Sequence, residues 1–167
     1  HYDDDETKAW AEVAASAFDM LRMDECCDAP KPEWWNDEGL KALSARVVAA
    51  APDTLSPCTL RGRVLAGDAP AGAIWDVTWN AGPRTAAEIK EAATWFRRGA
   101  EKAIAPGGRQ FYSEFASACD EVADPLLAEE EAEAAKDRAS AEAEAAEALK
   151  VAEAKATAAA DELLADE

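Results

Sequence analysis

The chain has 167 residues, of which 49% are hydrophobic, and its 35 acidic against 17 basic side chains give a formal charge of −18. Without a Lys/Arg cluster to neutralise phosphates, this balance excludes nucleic acid and anionic membrane surfaces as natural partners and favours protein surfaces, basic ones in particular. No run approaches the roughly 20 apolar residues of a spanning helix, so the chain is not expected to be transmembrane itself.

Tyr2 to Met23 is the first expected helix. Asp3, Asp4, Asp5 and Glu6 set negative charge at its start, where the helix dipole favours it, and Trp10, Val13, Ala14, Ala17, Phe18 and Leu21 are expected on its inner face. The segment Asp24 to Trp35, with Cys26, Cys27, Pro30, Pro32 and the pair Trp34 and Trp35, forms a loop. It leads into the stretch around which the rest is organised, two amphipathic helices broken by Pro52. Asn36 or Asp37 caps the first of these, and Leu40, Leu43, Val47 and Ala51 recur at helical spacing. Asp53 and Ser56 offer caps to the second, Pro57 suits its first helical position, Leu60, Val64 and Leu65 give its apolar face, and Gly67 ends it.

The stretch from Gly67 to Pro83 is the least helical, with Trp75, Val77 and Trp79 on one side of an extended segment bracketed by Gly and Pro. Thr85 then caps a helix to about Ala105, with Ile89, Ala92, Ala93, Phe96, Gly99 or Ala100, and Ala103 inward, stopped by Pro106, Gly107 and Gly108. A last helix of the body spans about Arg109 to Ala123, and Asp124 with Pro125 supplies a break. All six Trp, four Phe, two Tyr and four Cys precede that point. The expected domains are therefore a helical body, residues 1–125, and an acidic Ala/Glu tail, residues 126–167. With no internal Gly or Pro, the tail has high helix propensity, and Ala135, Ala139, Ala146 and Leu149 belong to a seam of mostly small residues at three- and four-residue steps.

The punctuation of the body resembles that of tetratricopeptide-type helical repeats, in degenerate form. Trp10, Val13, Ala14 and Ala17 stand in the pattern of a first unit closed by Pro52, and Gly62 in that of a second closed by Pro106. The two prolines lie 54 residues apart, and the excess over a period of about 34 is absorbed by the insertion between Ala66 and Thr85. Cys58 replaces the opening Trp of the second unit. The resemblance implies an all-α, helix-hairpin body of about five helices that binds partners, followed by the long Ala/Glu-rich helix, and it transfers no catalytic residue. The Ala-rich, acidic style is also similar to degenerate helical-repeat proteins of GC-rich microalgae. A chain that starts at His1 rather than Met fits either removal of a targeting peptide or an incompletely assigned start, and with the first of these the style implies a plastid subunit, thylakoid-associated.

Little chemistry is encoded. His1 is the only histidine and no Gly-rich phosphate loop is present, so triads, Cys–His pairs and zinc-hydrolase motifs have no residues to build on. Cys26, Cys27, Cys58 and Cys119 lack zinc-knuckle spacing; their alternatives are a disulfide from Cys26 or Cys27 to Cys58 or Cys119, or small buried thiols. No cofactor is expected. Trp34, Trp35, Trp75 and Trp79 are the expected partner contacts of the body, because core packing explains only one member of each pair. The expected function is a non-enzymatic structural linker bridging subunits of a larger assembly, such as a photosystem–antenna complex. The alternatives are a freestanding adaptor for a basic peptide and, from another class, a small redox or metal protein using the cysteines.

Overall fold

In a computed structural model, the backbone is described for residues 2–23, 30–70 and 79–165, with side chains for 4–23, 30–70 and 79–157. The described residues form five α-helices and no strand: α1 (Tyr2–Arg22), α2 (Asp37–Ala50), α3 (Leu55–Ala66), α4 (Ala86–Lys102) and α5 (Pro106–Ala165). The chain divides into two units, residues 1–127 and 128–167.

Inside the first unit, α3 is the central element. It packs against α1, α2 and α4, and Pro57 to Ala66 are buried except Arg61. One apolar cluster joins Ala11, Ala15 and Phe18 of α1 to Leu40 and Val47 of α2, Leu60 and Val64 of α3, and Trp35 and Trp79. A second joins Leu65 and Ala66 of α3 to Ile89, Ala92, Ala93 and Phe96 of α4 and Phe115, Ala116, Cys119 and Ala123 of α5, with Phe96 and Phe115 edge to face at 5.3 Å. A short helix buried nearly all round needs small residues where neighbours approach. A Cβ on Gly62 would stand 2.9 Å from the Phe96 ring.

The helix ends follow local chemistry. Asn36 caps α2 by accepting the Gly39 N–H at 2.9 Å, and Thr85 caps α4 in a reciprocal capping box with Glu88. The expected start of α3 is corrected: Thr54 holds the cap position without a side-chain cap bond, and Leu55 rather than Pro57 is the first helical residue. Gly67 closes α3 at φ 55°, in the left-handed region that glycine enters without a steric penalty. A side chain there would also meet the Arg84 guanidinium at 3.0–3.2 Å.

Two expectations are corrected by packing. On α1 the inward stripe is Ala11, Ala14, Ala15, Phe18 and Leu21, and Trp10, Val13 and Ala17 face outward. Alanines at 11 and 15 let the helix approach its neighbours closely, whereas Trp10 sits at the edge with the Arg46 guanidinium over its ring at 5.2 Å. At the other end, Pro106 to Gly108 begin α5 rather than merely ending α4, and Pro125 lies inside α5 instead of breaking it. Proline removes one helix hydrogen bond and costs about 3 kcal/mol. Glu121, whose carbonyl is thereby released, is exposed to water, and strong helix formers lie on the C-terminal side.

Candidate interaction surfaces

Basic side chains of the first unit reach across its helices to acidic partners. Arg63 of α3 pairs with Asp19 of α1 at 2.5 Å. Arg61 donates to Glu91 of α4 at 3.1 Å and, on its other side, to the Lys41 carbonyl and Ser44 hydroxyl of α2, both at 3.2 Å. Arg97 pairs with Asp120, and the Arg98 guanidinium covers Trp95 at 4.7 Å. Arg61, Arg63 and Arg97 are engaged in holding helices together and Arg98 lies on a ring of its own helix, so among the described residues these four arginines form no free basic patch. Burial pulls Arg63 below the ordinary arginine range, and the Asp19 carboxylate opposes that pull.

The densest polar site joins three helices of the first unit. Arg84, whose side chain is only 1% exposed, reaches both Asp37 oxygens, at 2.5 and 3.0 Å, and donates to the carbonyls of Val64 and Gly82 at 2.9 and 3.0 Å. Lys41 bridges Asp37 at 3.2 Å and Glu88 at 2.7 Å. Burial alone would raise the Asp37 carboxyl, but the hydrogen bonds and charges of Arg84, then Lys41, outweigh it and hold the group below its ordinary value. Glu88 behaves likewise: burial is outweighed by Lys41, the Thr85 N–H and Arg84. Both terminal nitrogens of Arg84 end on protein acceptors, while its Nε is buried without one, so this site is a clasp between elements.

The expected partner contacts separate. Trp34 is 44% exposed, whereas Trp35 is 9% exposed and stacks on Phe18 at 5.4 Å. Trp79 is 7% exposed and meets Phe18 edge-on at 5.9 Å. Trp35 and Trp79 are thus core residues, because Phe18 offers each an apolar wall that water cannot reach. Trp34 remains at the surface, and Trp75 lies outside the described residues. Ala135, Ala139, Ala146 and Leu149 of α5 are all exposed, as is every residue from 128 to 157.

Cys58 and Cys119 carry free thiols in the core, the small buried thiols of the two alternatives, and neither takes part in a disulfide; Cys26 and Cys27 lie outside the described residues. Burial raises the Cys58 thiol, which donates to the Pro52 carbonyl at 3.3 Å, and pushes Cys119 up to about 11. Among the described residues, no three His, Cys, Asp or Glu groups converge as a metal site, and no helix is long and apolar enough to cross a membrane.

Sequence reasoning missed one surface. The outward face of α1 carries Val13 and Met20, 68% and 62% exposed, in a row with Ala9, Ser16 and Ala17. The signal was present, since Val13, Ala17 and Met20 recur at helical spacing, but they share α1 with a second apolar stripe made of smaller residues. Compared with protein-family models, curated proteins and solved structures, this chain, an all-α body followed by a helix exposed along its described length, matches none of them.

Proposed function

We propose that this chain is a non-enzymatic linker subunit, whose helical body docks on one component of a larger protein assembly while the Ala/Glu helix lies against a second. The observation that carries this reading is the exposure of every residue from 128 to 157 on a helix with a continuous Ala seam. No tertiary packing within that unit stabilises it, and residues 126–167 carry 13 acids against 4 bases, a net −9. Isolated Ala-rich helices are only marginally stable in water, and like charge weakens them further. Small seam residues admit a second backbone at close range, so contact with a partner is the available source of order. The raised thiols argue in the same direction, since a protonated buried Cys is a packing residue rather than a redox nucleophile.

Hydrogen exchange on the native assembly tests the proposal. The tail amides are expected to be protected in the assembly and to lose that protection when Ala135→Glu, Ala139→Glu and Ala146→Glu are combined. Glu133→Ala and Glu144→Ala, on other faces, should leave it in place. A wild-type tail that exchanges at the unprotected rate in the assembly refutes the linker reading. The plastid photosystem–antenna assembly is the particular setting proposed from the compositional resemblance, and mass spectrometry of natively co-purified partners tests it.

A further inference from the structure

On α1, Ala9, Val13, Ser16, Ala17 and Met20 form an outward strip at three- and four-residue steps. Its two large members are more than half exposed, and Met23 beyond the helix end is also exposed. By helical spacing the exposed carboxylates Asp5 and Glu12 flank one side of the strip and the exposed Glu6 continues its line at the N-terminal end, while Trp10, with the Arg46 guanidinium over its ring, borders the other side. Lys8 and Arg22 point away from it, and Arg22 pairs with Asp19. The core needs none of these residues, because α1 already buries Ala11, Ala15 and Phe18 on its opposite side. An exposed apolar row with an acidic margin at Asp5 and Glu12 and a carboxylate at its N-terminal end has a definite complement, and the charge of the chain narrows it. A second copy, or the protein's own tail, is acidic and would set carboxylate against carboxylate.

We infer that the outer face of α1 docks an amphipathic helix of a partner protein that is apolar along one side and carries Lys or Arg at the margin of that side facing Asp5 and Glu12. This inference rests on the linker reading and names the chemistry of the component on which the body docks. Val13 and Met20 supply the apolar contact, with the adaptable thioether of Met20 filling an imperfect fit. Asp5, Glu6 and Glu12 set orientation and accelerate encounter.

The test is fluorescence anisotropy with the full chain and two labelled probes of equal length, a Leu/Lys amphipathic helix and its Leu/Glu counterpart. The Leu/Lys probe should bind saturably at one per chain, and the Leu/Glu probe at least about tenfold more weakly. Val13→Lys with Met20→Lys should weaken the Leu/Lys probe at least about tenfold, and Val13→Ser with Met20→Ser should weaken it by a smaller factor without changing its charge. Since both side chains are exposed, circular dichroism melts of these variants should match wild type; if the lysine pair melts early, the serine pair decides. Unchanged affinity in the serine pair, or in a folded lysine pair, overturns the inference and assigns the probe to the acidic tail. Equal binding of the two probes overturns its electrostatic part. Co-sedimentation with phosphatidylcholine vesicles that is lost in the variants also overturns it, in favour of a membrane surface. None of these outcomes touches tail protection in the assembly, so the linker reading stands or falls separately.

Discussion

Replacing Arg84 with Met removes the centre of the clasp while keeping most of the side-chain volume. Four hydrogen bonds disappear: two to Asp37 and one each to the carbonyls of Val64 and Gly82. The Val64 carbonyl is one of the last four of α3, which have no partner from helix continuation, so Arg84 acts as a C-terminal cap from outside the helix. Breaking a buried ion pair typically costs about 3–5 kcal/mol. Here the cost is smaller, because Asp37 keeps Lys41 at 3.2 Å and its side chain is 23% exposed and can be hydrated. The expected loss is about 2–3 kcal/mol, equivalent to roughly 5–10 °C in Tm for a chain of this size. Tryptophan fluorescence during urea unfolding is a suitable assay, because all six Trp precede the Ala/Glu tail and report the body alone. Arg84→Lys should lie between Met and wild type, keeping the charge but not the two-pronged geometry. A double-mutant cycle with Asp37→Asn should give a coupling above about 1 kcal/mol. A loss below about 0.5 kcal/mol for Arg84→Met, or additivity in the cycle, would refute the clasp as a source of stability.

The same clasp makes the body acid-sensitive. Asp37 and Glu88 are held below their ordinary values of 3.8 and 4.5, so the unfolded chain takes up protons before the folded one does. Their contribution is fully present above about pH 5 and is lost as pH falls through the folded values; urea midpoints between pH 6 and pH 3 should fall, and by less in Arg84→Met. The peptides containing Cys58 and Cys119 should resist alkylation at pH 8 in the native protein and react fully in urea, a mass-spectrometric difference that fast native labelling would contradict. Trp35→Ala should cost about 3–5 kcal/mol by emptying a site beside Phe18, whereas Trp34→Ala should stay within about 1 kcal/mol; equal losses in urea unfolding would remove the distinction between a core and a surface tryptophan.

Local signals in the chain determined where the helices lie. Asn36, Pro52, Gly67 and Thr85 act on their own backbone neighbours, and the periodicity of Leu40, Leu43, Val47 and Ala51 repeats within a few residues, so both are legible before any tertiary contact exists. The inward face of α4 was legible for the same reason, its apolar residues forming a single stripe from Ile89 to Ala103. On α1 two stripes compete, and only the approach of α2 and α3 decides between them: close packing selects the small Ala11 and Ala15 and turns Val13 and Met20 to water. Which tryptophan of a neighbouring pair is buried was likewise decided by Phe18, a partner distant in sequence from both Trp35 and Trp79. Arg84 shows the limit most clearly. Nothing near it in sequence marks it as the clasp, since Asp37 is 47 residues away and becomes its partner only when α2 and the start of α4 meet over the end of α3. Pro125 marks the opposite case, a strong local breaker accommodated because the carbonyl it releases, that of Glu121, is exposed to water and α5 is held just before it by the packing of Phe115, Cys119 and Ala123.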